Sequence, residues 1–157
     1  MSQIIIVVDA FTDKPFAGYY QSIDYSYWKR TAGLPSLIPL AEQQIKAEIA
    51  RPENGETVPA GKTIRVHGAA WSCDADITKV EVSIDSGAWQ EAQLLDSSVK
   101  NAWRLWEYGW HTPASPGKQT LRARAADSRG RVQPLDRDPD RGTYMINHVL
   151  QIEVEVI

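Results

Sequence analysis

The chain holds one cysteine, Cys73, so no internal disulfide can form. That fits a cytosolic protein and equally a periplasmic one that does without disulfides. Histidine is scarce too: His67, His111 and His148 are scattered without the spacing of a metal site. There is no glycine-rich phosphate loop and no GxSxG elbow, so neither nucleotide chemistry nor α/β-hydrolase chemistry has support. No run approaches the ~18 apolar residues of a membrane-spanning helix. The start, "MSQIIIVVDA", lacks the basic opening and full apolar stretch of a secretory signal. Nor is there a basic excess: the formal net charge is -3, which argues against nucleic acid as a partner. Helical patterning is almost absent, and "LAEQQI" would make one or two turns, marginal in isolation.

What is present is strand. Hydrophobic residues make up 43% of 157 and charged residues 24%, enough for a core without staples. "IKAEIA" sets Ile45, Ala47 and Ile49 against Lys46 and Glu48. "ITKVEVSID" sets Val80, Val82 and Ile84 inward and Lys79, Glu81 and Ser83 outward. "TLRARAAD" and "LQIEVEVI" do the same, with Leu121, Ala123 and Ala125, then Leu150, Ile152, Val154 and Val156, on the apolar side. Period-two alternation means half-buried strands, and several separated by turn signals predict an all-β fold, an antiparallel β-sandwich. "RPENGETVPAGK" and "PLDRDPDRG" read as loops, and "DSGAW" as a hairpin whose Gly87 supplies positive φ. Residues 1–43 differ. After a short apolar run they show no clean period, and they are rich in aromatics, Pro and Gly. They are expected to form a short N-terminal strand, from "IIIVVD", and an irregular N-terminal arm over 1–43, with the sandwich domain over 44–157.

"NAWRLWEYGWH", residues 101–111, is ambiguous alone. Trp103, Trp106 and Trp110 fall at a helical spacing, but Gly109 interrupts it and the neighbouring elements are strands. As a strand, Trp103 and Trp106 face opposite ways. One belongs to the core. The other needs its own cover, since burying a Trp removes about 150–250 Å² from water, about 4–6 kcal/mol gross.

The ordered set "GAAWS" (68–72), "VEVSIDSGAWQEA" (80–92), "AWRLWE" (102–107), "RAADSRGRVQP" (124–134) and "RGTYMINHV" (141–149) resembles the C-terminal dimerisation domain of the sulfite oxidase family of molybdenum-cofactor oxidoreductases. The resemblance covers residues 44–157. The arm "FAGYYQSIDYSYW" also looks like the segment joining that family's catalytic domain to this one. It implies an immunoglobulin-like sandwich that holds two subunits together and packs against a molybdopterin-binding catalytic domain or subunit. The implied partners are thus a second copy and that domain, with no nucleic acid and no membrane. No cofactor is expected in this chain; molybdenum-molybdopterin is implied for the parent enzyme, whose compartment stays open, the periplasm included.

The resemblance places Arg141 where the family has an arginine reaching for an oxyanion substrate, a role a planar cationic fork suits. The plainer reading pairs it with Asp138 or Asp140 on a solvated loop. Trp103, Arg104, Trp106 and Tyr108 are candidates for a subunit or domain contact. Arg104 either stacks on an aromatic face there or lies over Trp106 as an outward strand arginine. Cys73 reads as a small hydrophobe, and Asp76, Asp85 and Asp127 as turn residues. No catalytic residue and no metal ligand is assigned. Two rival functions stay open: completing a molybdoenzyme site in trans, and binding carbohydrate on exposed tryptophans.

Overall fold

The computed structural model describes residues 26–31, 34–39, 43–99, 102–139 and 145–157, with side chains from residue 43 onward. The chain divides into two compact units, one of Met1–Glu42 and Asp138–Ile146, the other of Gln43–Arg137 and Asn147–Ile157.

In the first unit, β1 (Ser26–Thr31) and β2 (Leu34–Pro39) pair antiparallel, from Ser26 opposite Pro39 to Thr31 opposite Leu34. The expectation of an irregular arm is corrected here: its second half is a hairpin. Pro35 and Pro39 hid it, because proline reads as a break. A two-stranded sheet has only edge strands, where proline is tolerated.

The second unit contains β3 (Lys46–Arg51), β4 (Thr57–Val58), β5 (Thr63–Trp71), β6 (Ile77–Ile84), β7 (Gln90–Leu94), β8 (Arg104–His111), β9 (Gly117–Asp127) and β10 (Gln151–Val156). They join in the order β3-β5-β8-β7-β6-β9-β10-β4. β7 turns the sheet back on itself: Gln90–Ala92 pair with β6, while Gln93 and Leu94 pair with β8. One layer is therefore β3, β5 and β8, the other β6, β9, β10 and β4. Val66, Ala70, Trp106 and Trp110 from the first meet Val80, Val82, Leu121, Ala123, Ala125, Val154 and Val156 from the second in one buried core. No α-helix occurs among the described residues; Gln43–Ile45, the end of "LAEQQI", are not helical.

The expected alternation holds in β3, β6, β9 and β10, with three departures. Leu150 lies before β10 and is 44% exposed, not inward. Ser83 was expected outward but has no exposed surface, and its hydroxyl donates to the Gly87 carbonyl at 2.8 Å. The loop "RPENGETVPAGK" contains β4, which runs parallel to β10 rather than antiparallel, with Val58 opposite Val156.

The hairpin at Ile84–Gly87 is also corrected. Positive φ falls on Asp85 (45°) and Ser86 (60°), not on Gly87, and Gly87 N–H donates to the Ile84 carbonyl at 2.8 Å. Two central residues with positive φ and that bond describe a type I′ turn, whose twist matches the strands. Asp85 tolerates the conformation and gains from it. Its carboxylate accepts the Thr120 N–H at 2.7 Å, so the turn is anchored to β9.

A glutamine closes the open side of the sandwich. Gln133 is 2% exposed and its Oε1 accepts both Ala47 N–H (2.8 Å) on β3 and Ala125 N–H (3.2 Å) on β9. The side chain thereby ties one layer to the other and occupies an edge donor of β3. An unpaired edge donor would otherwise invite another strand.

Candidate functional site

Of the four contact candidates, Trp103 alone lies on the outer face of the β3-β5-β8 layer. β8 alternates inward Arg104, Trp106, Tyr108 and Trp110 with outward Leu105, Glu107, Gly109 and His111. Trp106 is 0% exposed, so of the candidates for a partner contact it belongs wholly to the core and offers no surface. Its position follows from Gly68, directly opposite on β5. A Cβ on Gly68 would come within 2.8 Å of Trp106 Cζ2, so the indole lies where that glycine has no side chain. Trp103, just before β8, is 63% exposed and stacks on Trp71, centroids 5.4 Å apart.

Arg104 fits neither expectation. It faces inward beside Trp106, and its guanidinium donates to the Ile77 carbonyl (3.0 Å) and the Asp96 carbonyl (2.6 Å). It ties the start of β6 to the segment after β7, because a buried strand end leaves carbonyls that need donors. Tyr108 is half-buried against the core and donates its hydroxyl to Gln90 Oε1 at 2.6 Å. Arg141 lies outside the described residues.

The strand register builds rows across this face. Lys46 lies beside Trp71, and the stacked Trp103 continues that row. Glu48, Ala69 and Leu105 make the next, extended by Leu95, whose N–H donates to the Leu105 carbonyl at 2.9 Å. His67, Glu107 and Gln93 make a third. Leu105 is 50% exposed and Leu95 41%. The first two rows thus hold an apolar strip: Trp71, Trp103, Ala69, Leu105 and Leu95. Ion pairs flank it, Lys46–Glu48 at 2.5 Å and Arg65–Glu107 at 2.5 Å. Beyond it Gly109 has no side chain, and a trough of about 450 Å³ runs between Arg65, Glu91, Gln93 and Glu107.

The outer face of the other layer is polar. Glu81 receives Arg124 Nε (2.7 Å) and Lys79 Nζ (2.9 Å). Burial is the largest influence on the Glu81 carboxyl and pushes it up, but these two cations together outweigh it and hold it below its ordinary range. Trp89 covers the pair of arginines, with Arg124 at 4.3 Å and Arg122 at 5.6 Å from its ring centre. That cover explains why Ser83 and Glu81, polar and formally outward, are shielded from water.

At one end of the sandwich the motif "RAADSRGRVQP" closes on itself. Buried Asp127 accepts the N–H groups of Arg129 (3.0 Å) and Arg131 (3.1 Å) and Arg131 Nε at 2.7 Å. Arg129 and Arg131 both pair with Asp74, whose carboxyl is held low chiefly by the Arg131 hydrogen bond. Asp85 and Asp127 thus do the turn work expected of them. Cys73 is partly buried next to this clasp. Among the described residues no three His, Cys, Asp or Glu side chains gather as a metal site. The one thiol, Cys73, neighbours an aspartate, Asp74, that is held by two arginines. A platform of three tryptophans for a sugar does not form, because Trp106 and Trp110 point into the core.

Sequence reasoning passed over Gln133, Gly68, Trp71, Trp89, Leu95 and Leu105. All but Leu95 lie in the motifs singled out above.

The model of the Mo-co oxidoreductase dimerisation domain matches residues 39–155. The mitochondrial sulfite oxidases of Rattus norvegicus and Homo sapiens are 31% and 30% identical over 127 residues. Those alignments cover 77% of this chain but 22% of each relative's length. The sulfane dehydrogenase SoxCD from Paracoccus pantotrophus shares the fold, with a TM-score of 0.63 at 22% identity over 81% of this chain and 33% of that one.

Proposed function

Because the chain belongs to the family of Mo-co oxidoreductase dimerisation domains, we propose that it is the non-catalytic module of a sulfite-oxidase-like molybdoenzyme. In this reading it holds two copies together and packs against a molybdopterin-binding domain or subunit. The observation that carries the reading is the family match over 39–155, which takes in β3 to β9 and all but the last residue of β10. The chemistry of such an enzyme resides in the other domain or subunit. This chain contributes association: two identical surfaces meet across a two-fold axis, so any patch that works must complement itself. A stable two-fold interface of standard size buries about 1,600 Å² in total.

Sedimentation equilibrium on the chain from low micromolar to near millimolar concentration tests the reading. A reversible dimer is expected. Monomer alone across the whole range would remove the dimerisation function and leave the fold assignment standing.

A further inference from the structure

We propose that the outer face of the β3-β5-β8 layer, centred on Leu105, is the surface that meets a second copy of this chain. The proposal rests on the dimerisation reading and gives it a place.

The first argument is chemical. This face has an apolar centre and a polar rim, the anatomy of a protein interface. Leu105 and Trp103 are 50% and 63% exposed, although hydrophobic residues of their size were free to be polar at outward strand positions. The other layer's outer face offers no such strip: Glu81, Arg122 and Arg124 occupy it under Trp89.

The second argument is charge. A surface that meets its own copy cannot carry one dominant sign, because every charge would face its like. The outward positions of this layer carry Lys46, Arg51 and Arg65 against Glu48, Glu91 and Glu107. The balance is even, and Lys46–Glu48 and Arg65–Glu107 are already neutralised within the face. Two copies therefore approach without net repulsion.

The third argument is size and shape. β5 has 9 residues and β8 has 8. At about 3.3 Å per residue and about 4.8 Å between strands, these two with β3 (6 residues) and β7 (5 residues) span roughly 440 Å² in projection. Side chains raise the accessible area above the projection, toward the ~800 Å² per partner of a standard interface. A two-fold axis along the strands between β5 and β8 lays Ala69 of one copy over Leu105 of the other, a small residue against a large one. The same axis sets Trp71 against the second copy's Trp103.

The test is sedimentation equilibrium on the full chain with Leu105→Glu, Leu95→Glu and Gln151→Glu. The first two place a carboxylate in the apolar strip. Gln151 is exposed on β10, in the other layer. All three positions are solvent-facing, and near-UV circular dichroism checks the fold of each. The expected result is a wild-type dimer, at least tenfold weaker for Leu105→Glu and Leu95→Glu and unchanged for Gln151→Glu. Should Leu105→Glu not fold, Leu95→Glu on the neighbouring strand gives the same reading. A wild-type dimer that loses less than tenfold in a folded strip variant overturns the proposed face. It leaves the dimerisation reading intact and assigns the strip to another occupant. A wild-type chain that stays monomeric overturns both.

Discussion

Replacing Gly68 with alanine adds one methyl group and should cost about 2–3 kcal/mol, a large share of a typical 5–15 kcal/mol domain stability. The site dictates this. A Cβ at Gly68 would overlap the Glu48 carbonyl oxygen on β3, far inside contact distance, and lie 2.8 Å from Trp106 Cζ2 on β8. The indole can tilt, but it is fully enclosed, so its neighbours must move with it. The carbonyl is backbone and no rotamer relieves it, so β3 must draw away from β5. Overpacking of this kind costs about 1–3 kcal/mol, and strained ladder hydrogen bonds add to it. The ordinary gain of about 0.5–1 kcal/mol for Gly→Ala in a strand offsets part of the loss. Gly109→Ala is the control, since its Cβ would meet only Thr63 Cγ2 at an ordinary 3.6 Å. Urea unfolding followed by tryptophan fluorescence reads both. Gly109→Ala is expected to match or slightly exceed wild type. Gly68→Ala within 0.5 kcal/mol of wild type at an unchanged m-value would refute the packing argument.

Gln133→Ala leaves two buried backbone donors, Ala47 and Ala125 N–H, without their acceptor. At about 1–3 kcal/mol per orphaned group the loss should reach about 2–6 kcal/mol, read by the same unfolding assay, with hydrogen exchange at Ala47 accelerated. Ser86→Gly relieves a serine held at φ 60° and should stabilise by up to about 1 kcal/mol in thermal unfolding, while Asp85 keeps its bond to Thr120. Acid should destabilise the sandwich through Glu81 and Asp74, whose carboxyls are held below their ordinary values of 4.5 and 3.8. Their contribution is complete above those unfolded-state values and is lost as pH falls through the lower folded ones. The melting temperature of wild type should therefore drop below about pH 4.5, and that of Glu81→Gln should drop less steeply over the same interval.

How far the sequence spoke depends on what each side chain meets. Alternation sufficed for β3, β6, β9 and β10 because their inner residues face a common core and their outer ones face water or other polar groups. It failed at Ser83, because its hydroxyl bonds the Gly87 carbonyl and meets the Arg122 guanidinium from β9, which Trp89 covers in turn. It failed at β1 and β2, because prolines at strand edges look like breaks. Arg104 departs from the rule that a charged residue in a strand faces outward. Here it satisfies carbonyls from two other segments, at Ile77 and Asp96, which no local pattern encodes. Gln133 was passed over for the same reason: its two partners lie 86 and 8 residues away.

The tryptophans of "WRLW" show how one missing atom sets an outer surface. Period two demands that Trp103 and Trp106 face opposite ways but does not say which goes in. The register does: Trp106 lies opposite Gly68, where the absent Cβ makes room for an indole, and Trp71 stacks with Trp103 on the outside. Moving β8 by one residue would turn Trp103, Leu105 and Glu107 toward the core and force Trp106 and Trp110 into water, reversing most of the burial of the layer. Gly68 thus favours the register that buries Trp106. The same choice leaves Trp103 and Leu105 standing outward beside Ala69, Trp71 and Leu95. The apolar strip is therefore built by the core packing behind it, and in the proposed dimer a change that loosens the core at Gly68 should weaken association, read by sedimentation equilibrium, even though it touches no exposed residue.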